Sequence, residues 1–378
     1  MGSMKRRTRS TIVSRETLGE KPRWNIEASN LNRWCKLPGS PFSEGFFLRP
    51  NRAQGEQVSV TFGPLELPDD VDTFTFIFVG RTRQQRCNNI DVEVSILGSP
   101  EECLARSCVR LYHGDKKPLT LRFHRQEQEE VHFRFCASYD DFFDKGVDCG
   151  VTVAYIVGYK PNPLVDLLNR MGSDKGTEIS HGEGTPHCYA LEYYPLLREF
   201  ADDEFNFLEI GLDTLSARNG HPKDAPSLKA WRAFFPKATI YGYDIKDFSF
   251  FEQKATFTFQ GDQSSRQDLA RFLEMYGGPE FRVVLDDGSH ASSHQQISLA
   301  SLFPVVEPGG LYIIEDLFWQ PFEETPKTLD VLETFVETSK FDSPFISQDE
   351  ARYLEETIER IEIYKPTDSE FAVVYKKE

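Results

Sequence analysis

Two acidic clusters follow two short apolar stretches in the second half of the sequence. The first is Asp286-Asp287-Gly288-Ser289-His290, and the second is Glu315-Asp316. Neighbouring carboxylates repel each other unless they are protonated or bind a cation. Oxygen ligands suit a hard ion such as Mg²⁺, which leaves coordination positions for substrate oxygens. The two clusters therefore predict a divalent-metal site at which carboxylates from both motifs meet.

His290 lies three residues after Asp287, where it could act as general base on a substrate hydroxyl that the metal acidifies. Two other interpretations stay open. The acidic loops could be solvated or could cap the helices that follow them. His290 and His294, four residues apart, could bind zinc, although the glutamate of an HExxH motif is missing. Trp319 and Phe318, just beyond the second cluster, could stack on an acceptor ring.

A second group of residues predicts a nucleoside site. Gly211 follows the apolar stretch Phe207–Ile210, in which Glu209 lies, and Asp244 ends the next such stretch. A glycine permits close approach of a ligand, and an acid after the second strand can bind both ribose hydroxyls. Asp262 and Gln263 follow a third stretch and could contact an adenine edge, and Asp286 is expected nearer this site than the metal. Nicotinamide enzymes share this arrangement, but no G-x-G-x-x-G motif for a pyrophosphate is present, which favours S-adenosylmethionine.

The elements that must position these residues alternate between strand-like and helix-like patterns from Phe205 onward. Candidate strands at 207–211, 239–244, 281–285 and 311–314 alternate with candidate helices at 227–235, 267–276 and 291–303. This βαβα order predicts a parallel sheet with helices on both faces, and ligands bind beyond the carboxyl ends of such strands. The stretches 360–364 and 371–375 predict a C-terminal antiparallel hairpin.

The first half of the chain has a different pattern. Short alternating stretches such as 71–78, 90–97 and 131–135 are separated by polar, Gly or Pro residues. They predict an antiparallel β-sandwich or jelly-roll-like module. Prolines 161 and 163 mark the expected boundary, so residues 21–160 form the β-rich auxiliary domain and 161–378 the second domain. Residues 1–20 are expected to be a disordered arm that begins with an expression-tag remnant.

The composition excludes several classes of protein. The 378 residues carry a formal net charge of -17, which argues against a nucleic-acid partner. No run approaches the roughly 18 apolar residues of a membrane helix, and no signal peptide is visible. Seven cysteines without a CxxC pair favour reduced thiols and a cytoplasmic protein.

The second half resembles the metal-dependent O-methyltransferases that modify sugar hydroxyls of glycosylated natural products, the mycinamicin 2''-O-methyltransferase-like family. The matching motifs span roughly residues 165–320. They include Gly172-Ser173-Asp174-Lys175-Gly176, Leu208-Glu209-Ile210-Gly211, Tyr241-Gly242-Tyr243-Asp244-Ile245, Asp287-Gly288-Ser289-His290 and Glu315-Asp316. The resemblance implies a Rossmann-like class I methyltransferase domain, a mostly parallel sheet that ends in an antiparallel hairpin.

The resemblance also assigns roles to individual residues. It implies that Asp287, Glu315 and Asp316 bind Mg²⁺ and that His290 is the base. The S-adenosylmethionine site is expected from the resemblance and from the strand ends together. Its expected residues are Glu209, Gly211, Ser227, Asp244, Ile245, Asp262, Gln263 and Asp286. It further implies a homo-oligomer, a dimer or tetramer, whose N-terminal domain helps to enclose the acceptor.

These observations predict an S-adenosylmethionine- and Mg²⁺-dependent O-methyltransferase of natural-product or antibiotic biosynthesis. Its expected acceptor is a sugar hydroxyl of a glycosylated secondary metabolite. One alternative is methylation of a non-sugar polyketide or diol hydroxyl. The other is a non-catalytic carbohydrate-binding protein whose methyltransferase half is degenerate.

Overall fold

The structure is a computed structural model, and its described part covers most of the chain. The described residues are 11–12, 33–36, 44–48, 58–67, 71–82, 90–99, 102–112, 114–124, 129–139, 149–178, 186–212, 224–366 and 369–378. They form two compact units, one within Arg9–Leu191 and the other within Glu192–Glu378. The expected arm at 1–20 lies outside the described residues except for Thr11–Ile12. The domain boundary expected between residues 160 and 161 stays a prediction.

The described residues of the first unit form ten antiparallel strands. They are β1 (Thr11–Ile12), β2 (Arg33–Lys36), β3 (Glu44–Leu48), β4 (Val58–Glu66), β5 (Thr73–Thr82), β6 (Ile90–Ser99), β7 (Glu102–Leu111), β8 (Lys116–Arg122), β9 (Glu130–Tyr139) and β10 (Cys149–Tyr159). One sheet has the order β2-β3-β10-β5-β8, with β1 also pairing to β10, and the other has the order β4-β9-β6-β7.

Phenylalanines from both sheets form the core of this unit. The rings of Phe74 and Phe76 on β5 meet Phe133 on β9 edge-to-face, with centroids 4.8 and 5.3 Å apart. Alternate residues of the two strands therefore point into one shared apolar layer, as in a sandwich. The expected all-β N-terminal fold is confirmed.

The second unit carries the other strands and most helices. After α1 (Pro163–Met171), they are α2 (Tyr189–Leu197), β11 (Asn206–Ile210), α3 (Pro226–Phe234), β12 (Thr239–Asp244), β13 (Thr256–Gln260), α4 (Arg266–Met275), β14 (Phe281–Asp286), α5 (Ser292–Leu302), β15 (Val306–Ile314), α6 (Thr328–Thr338), α7 (Gln348–Thr357), β16 (Ile358–Tyr364) and β17 (Phe371–Lys376). None of the helices in the described ranges is long and apolar enough to span a membrane.

The seven strands of this unit form one sheet with the order β13-β12-β11-β14-β15-β17-β16. The first five are parallel to one another, and β17 is antiparallel to both β15 and β16. This arrangement is the class I methyltransferase fold, and the predicted C-terminal hairpin is confirmed. Strand order reverses between β11 and β14, the point at which open α/β sheets bind ligands.

Apolar residues cover both faces of the sheet. Phe207 of β11 packs on Trp231 of α3, with ring centroids 5.2 Å apart. Leu208, the next residue, points to the opposite face, where it belongs to the same core as Phe272 of α4 and Leu299 of α5. Because both faces are buried, the central strands β11, β12 and β14 are mostly apolar, and their acids Glu209, Asp244 and Asp286 lie at or near the carboxyl ends.

Candidate active site

Gly211 brings the end of β11 close to the loop after β14. Its φ of +86° lies in the left-handed region, and a Cβ atom there would stand 2.0 Å from the carbonyl oxygen of Asp287. Only glycine fits this position without displacing the Asp287 backbone. The Asp287 amide also donates to the carbonyl of Ile210 at 2.8 Å. The ends of β11 and β14 are therefore joined at backbone level.

A cavity of about 200 Å³ opens beside this junction and is called here the rim cavity. Its lining residues are Ile210, Gly211, Tyr243, Asp244, Ile245, Lys246, Gly261, Gln263, Asp287, Gly288 and Ser289. Four of the eight residues predicted for the donor site line it, namely Gly211, Asp244, Ile245 and Gln263. Glu209, Ser227, Asp262 and Asp286 are not among the lining residues, and their roles at the donor site stay predictions.

Backbone amides fix the Asp244 carboxylate at the edge of the rim cavity. Leu212 N–H donates to Oδ2 at 2.7 Å, and Lys246 N–H donates to Oδ1 at 2.8 Å. The next side chain, Ile245, is 65% exposed and offers an apolar surface on the cavity wall. An oriented carboxylate beside an apolar surface suits a ribose with its attached base.

Glu209 and Ser227 lie deeper than the rim cavity. Glu209 is fully buried, and the indole N–H of Trp231 donates to its Oε1 at 3.1 Å. Ser227 is buried in the first turn of α3. The Trp231 side chain is itself fully buried, so this residue belongs to the core.

Asp262 and Gln263 follow β13, and protein groups already bind both side chains. Ser264 donates its hydroxyl and its amide to Asp262, and these bonds hold the pKa of that carboxyl below its ordinary value. The Gln263 amide nitrogen donates to Asp286, and its oxygen accepts from Ser289 N–H at 3.0 Å. Gln263 therefore links the loops after β13 and β14, a role that its sequence position did not reveal.

Asp286 is completely buried below the rim. Its carboxylate accepts hydrogen bonds from Gln263, from the Ser298 hydroxyl at 2.6 Å and from the Tyr312 hydroxyl at 3.2 Å. Burial raises its pKa to about 6, because desolvation outweighs the bonds that favour the charged form. These contacts hold the carboxylate beneath the loop that carries Asp287.

Asp287, His290 and Asp316 come together at the rim and form what is called here the rim cluster. One ligand atom from each lies within 4.8 Å of the others, and His290 Nε2 is 3.6 Å from Asp316 Oδ2. His290 and Asp316 have φ of +60° and +56°, a region that non-glycine residues rarely adopt. Backbone strain of this kind is typical of functional sites. Two carboxylates and an imidazole at these distances fit a divalent cation.

Glu315 is held separately from the rim cluster. Its side chain is fully buried, and its Oε1 accepts a hydrogen bond from the Tyr193 hydroxyl at 2.7 Å. His294, the partner in the zinc alternative, has its Nδ1 2.7 Å from the Ser289 hydroxyl and does not join the cluster within the described ranges. The prediction that Glu315 is a metal ligand stays a prediction.

An exposed aromatic surface continues from the rim cluster. The Trp319 ring lies edge-on to His290 with centroids 5.7 Å apart, and it is 50% exposed. Phe318 and Phe322 nearby are also partly exposed. The segment is anchored to α5, because Ser293 donates to the Glu324 carboxylate through its hydroxyl at 2.6 Å and its amide at 2.9 Å.

Comparison with known proteins gives relatives of one kind. Mycinamicin VI 2''-O-methyltransferase of Micromonospora griseorubida is 38% identical over 155 residues, 39% of this chain and 37% of that protein. Demethylmacrocin O-methyltransferase of Streptomyces fradiae is 39% identical over 143 residues, 37% of this chain and 35% of that protein. A tetracenomycin-C rhamnosyl 2'-O-methyltransferase of Streptomyces olivaceus is 33% identical over 184 residues, 44% of this chain and 47% of that protein.

The chain matches less than half the length of these curated relatives. A solved structure of MycE methyltransferase with Mg, SAH and mycinamycin VI is 30% identical, covers 58% of this chain and 56% of that one, and has a TM-score of 0.46. No protein-family model matches the chain. The predicted resemblance to sugar O-methyltransferases of antibiotic pathways is confirmed.

Proposed function

We propose that this chain is an S-adenosylmethionine-dependent and Mg²⁺-dependent O-methyltransferase whose acceptor is a sugar hydroxyl of a glycosylated small molecule. The observation that carries the proposal is the position of Asp287. It lines the rim cavity and also belongs to the rim cluster. A donor in the cavity would thus lie directly beside an acceptor at the cluster, as direct transfer of a methyl group requires.

Residues of the rim cavity and of the rim cluster have different roles in this reaction. Asp244 binds the ribose of the donor, and Ile245 packs against its base. Asp287, Glu315 and Asp316 would hold the cation, which would lower the pKa of an acceptor hydroxyl bound beside it. His290 Nε2 accepts the hydroxyl proton, while the acceptor oxygen forms a bond to the methyl carbon and the bond from that carbon to sulfur breaks. S-Adenosylhomocysteine is the second product.

A curated relative supports a sugar as acceptor, since its name describes 2'-O-methylation of an α-L-rhamnosyl tetracenomycin-C. The exposed rings of Phe318, Trp319 and Phe322 support an acceptor with apolar surface next to the sugar. Aromatic side chains bind such surfaces by stacking. We further propose that the protein is cytoplasmic and homo-oligomeric, and native mass spectrometry of the full chain would test the oligomeric state.

The test combines the metal with a set of acceptors. Excess chelator should abolish methyl transfer from S-adenosylmethionine and added Mg²⁺ should restore it, because the acceptor hydroxyl is otherwise too weak an acid. A macrolide or polyketide glycoside should gain a methyl group on its sugar, detected by mass spectrometry, while the free aglycone should stay unmodified. Full turnover in chelator would contradict the metal role. A methylated aglycone beside an inert glycoside would support the diol alternative, and glycan binding without turnover would support the non-catalytic one.

A further inference from the structure

Tyr193 donates one buried hydrogen bond whose acceptor is a carboxylate. The Tyr193 hydroxyl lies 2.7 Å from Glu315 Oε1, and both side chains are fully buried. A charged carboxylate is costly to bury unless hydrogen-bond donors compensate for the lost water. The short distance is typical of a hydroxyl that donates to a charged oxygen. The bond therefore restricts the orientation of the Glu315 carboxylate.

The Tyr193 ring is itself packed between other aromatic rings. Phe371 of β17 meets it edge-to-face, with centroids 4.9 Å apart, and Phe371 in turn stacks on Tyr364 with centroids 4.8 Å apart. Trp231 lies 6.2 Å from the Tyr193 ring on another side. A ring packed in this way cannot rotate without disturbing the core. The hydroxyl thus donates from a fixed point.

The burial of Tyr193 fits a structural role better than a gating role. Its side chain is fully buried, and its hydroxyl is bonded to Glu315 just after the end of β15. The neighbouring Tyr194 is only partly buried, with its ring 6.3 Å from Phe234 and beneath the Arg198 guanidinium. The two adjacent tyrosines therefore have different surroundings, which makes Tyr194 a matched control.

We infer that Tyr193 is a positioning residue for the cation site, and this inference rests on the proposed function. Tyr193 holds Oε1 of Glu315, so that the carboxylate keeps one orientation beside Asp316 before a cation arrives. Groups that orient metal ligands from outside typically change metal affinity by about 10–100-fold when they are removed. Tyr193 acts through Glu315 and contacts neither the acceptor nor the donor in this assignment.

The test measures binding of Mn²⁺ alone to the full-length protein, by electron paramagnetic resonance of the free ion. Tyr193→Phe removes only the hydroxyl and should weaken Mn²⁺ binding by about tenfold or more. Tyr194→Phe makes the same change one residue away and should leave the affinity within twofold. The affinity for S-adenosylhomocysteine, measured by calorimetry, should stay within twofold in both variants, since the rim cavity is intact.

A double-mutant cycle distinguishes positioning from general loosening of the fold. If Tyr193 acts through Glu315, the Tyr193→Phe, Glu315→Gln double variant should bind Mn²⁺ no more weakly than Glu315→Gln alone. This comparison also holds if Tyr193→Phe alone fails to fold, because the double variant removes the Glu315 charge together with the hydroxyl that compensates for it. An additional loss in the double variant, or wild-type affinity in Tyr193→Phe, would overturn the inference while leaving the proposed function intact. Absence of Mn²⁺ binding in the wild type would overturn both.

Discussion

The rim cavity is the proposed donor side, and the rim cluster together with Glu315 is the proposed metal side. The two sides hold their acidic side chains by different means. On the donor side, two backbone N–H groups fix Asp244. They belong to Leu212, two residues after the end of β11, and to Lys246, two residues after the end of β12. On the metal side, the hydroxyl of Tyr193, 122 residues away in sequence, fixes Glu315, while His290 and Asp316 adopt left-handed backbone conformations. The donor side is thus built into the strand ends, whereas the metal side depends on distant packing and local strain. The two sides should therefore fail separately when each is perturbed, except where they share backbone.

Gly211 is the point at which one substitution should disable both sides. Gly211→Ala places a methyl group against the backbone carbonyl of Asp287, whose side chain belongs to the rim cluster. The same methyl group narrows the rim cavity. The left-handed backbone and the overpacking together should lower the free energy of unfolding by about 2–5 kcal/mol. Affinities for both S-adenosylhomocysteine and Mn²⁺ should fall, which calorimetry and urea unfolding would measure.

Gly277→Ala is the matched control for this substitution. Gly277 also has a positive φ, +76°, but a Cβ atom there meets nothing within 4 Å. Gly277→Ala should therefore lower the free energy of unfolding by the backbone cost alone, about 1–2 kcal/mol. The affinities for S-adenosylhomocysteine and Mn²⁺ should not change. If Gly211→Ala kept normal affinity for either ligand, the two sides would be less tightly joined than the contact between Gly211 and Asp287 indicates.

His290→Ala should affect the metal side alone and mainly through the rate. Loss of a general base typically lowers kcat by about 10²–10⁴-fold. Affinity for S-adenosylhomocysteine should stay within twofold, and Mn²⁺ affinity should stay close to that of the wild type if His290 is the base and not a ligand. Single-turnover rates and the two binding isotherms measure these quantities.

His294→Ala is the control for His290→Ala, and it tests the zinc alternative as well. His294 contacts the Ser289 hydroxyl and is outside the rim cluster. Its loss should change the rate only slightly. A large fall in Mn²⁺ affinity in His290→Ala would show instead that His290 is a metal ligand. Equal losses in both histidine variants would favour a metal held by the histidine pair.

The sequence predicted the positions of the site residues better than their contacts. Strand ends carry the acids because both faces of the sheet must be apolar, so alternation of strands and helices located Asp244, Asp287 and Asp316. Hydrogen bonds between distant segments leave no local pattern. For that reason the link from Gln263 to Asp286 and the bond from Tyr193 to Glu315 were not predicted.

Two kinds of secondary-structure element were also not predicted from the sequence. Strand β7 has a largely exposed surface, so its apolar alternation is weak although it pairs along β6 over its whole length. Helices α6 and α7 follow the metal-side motif, where no strand pattern separates them. In the first unit, the alternating stretches at 71–78 and 131–135 were informative because one face of each sheet is buried and the strand period is two.

Asp244→Asn should affect the donor side alone. Its effect should be smaller than those of Gly211→Ala and His290→Ala. The two oxygens of Asp244 accept from Leu212 N–H and Lys246 N–H, so an amide nitrogen at either position would face a donor. A mismatch of this kind costs about 1–3 kcal/mol, which corresponds to roughly 5–150-fold in affinity for S-adenosylhomocysteine. Mn²⁺ affinity and kcat at saturating donor should change little.

Asp247→Asn provides the comparison for Asp244→Asn, because it is the same substitution three residues later at an exposed position. Asp247 also accepts a backbone N–H, from Ser249 at 2.8 Å, but it does not line the rim cavity. Its substitution should leave donor affinity within twofold. If Asp244→Asn weakened Mn²⁺ binding as strongly as donor binding, the two sides would not be independent, and the backbone junction at Gly211 would transmit changes from one to the other. If Asp244→Asn weakened donor binding and left Mn²⁺ binding unchanged, Gly211 would join two sites that are otherwise built and stabilised separately.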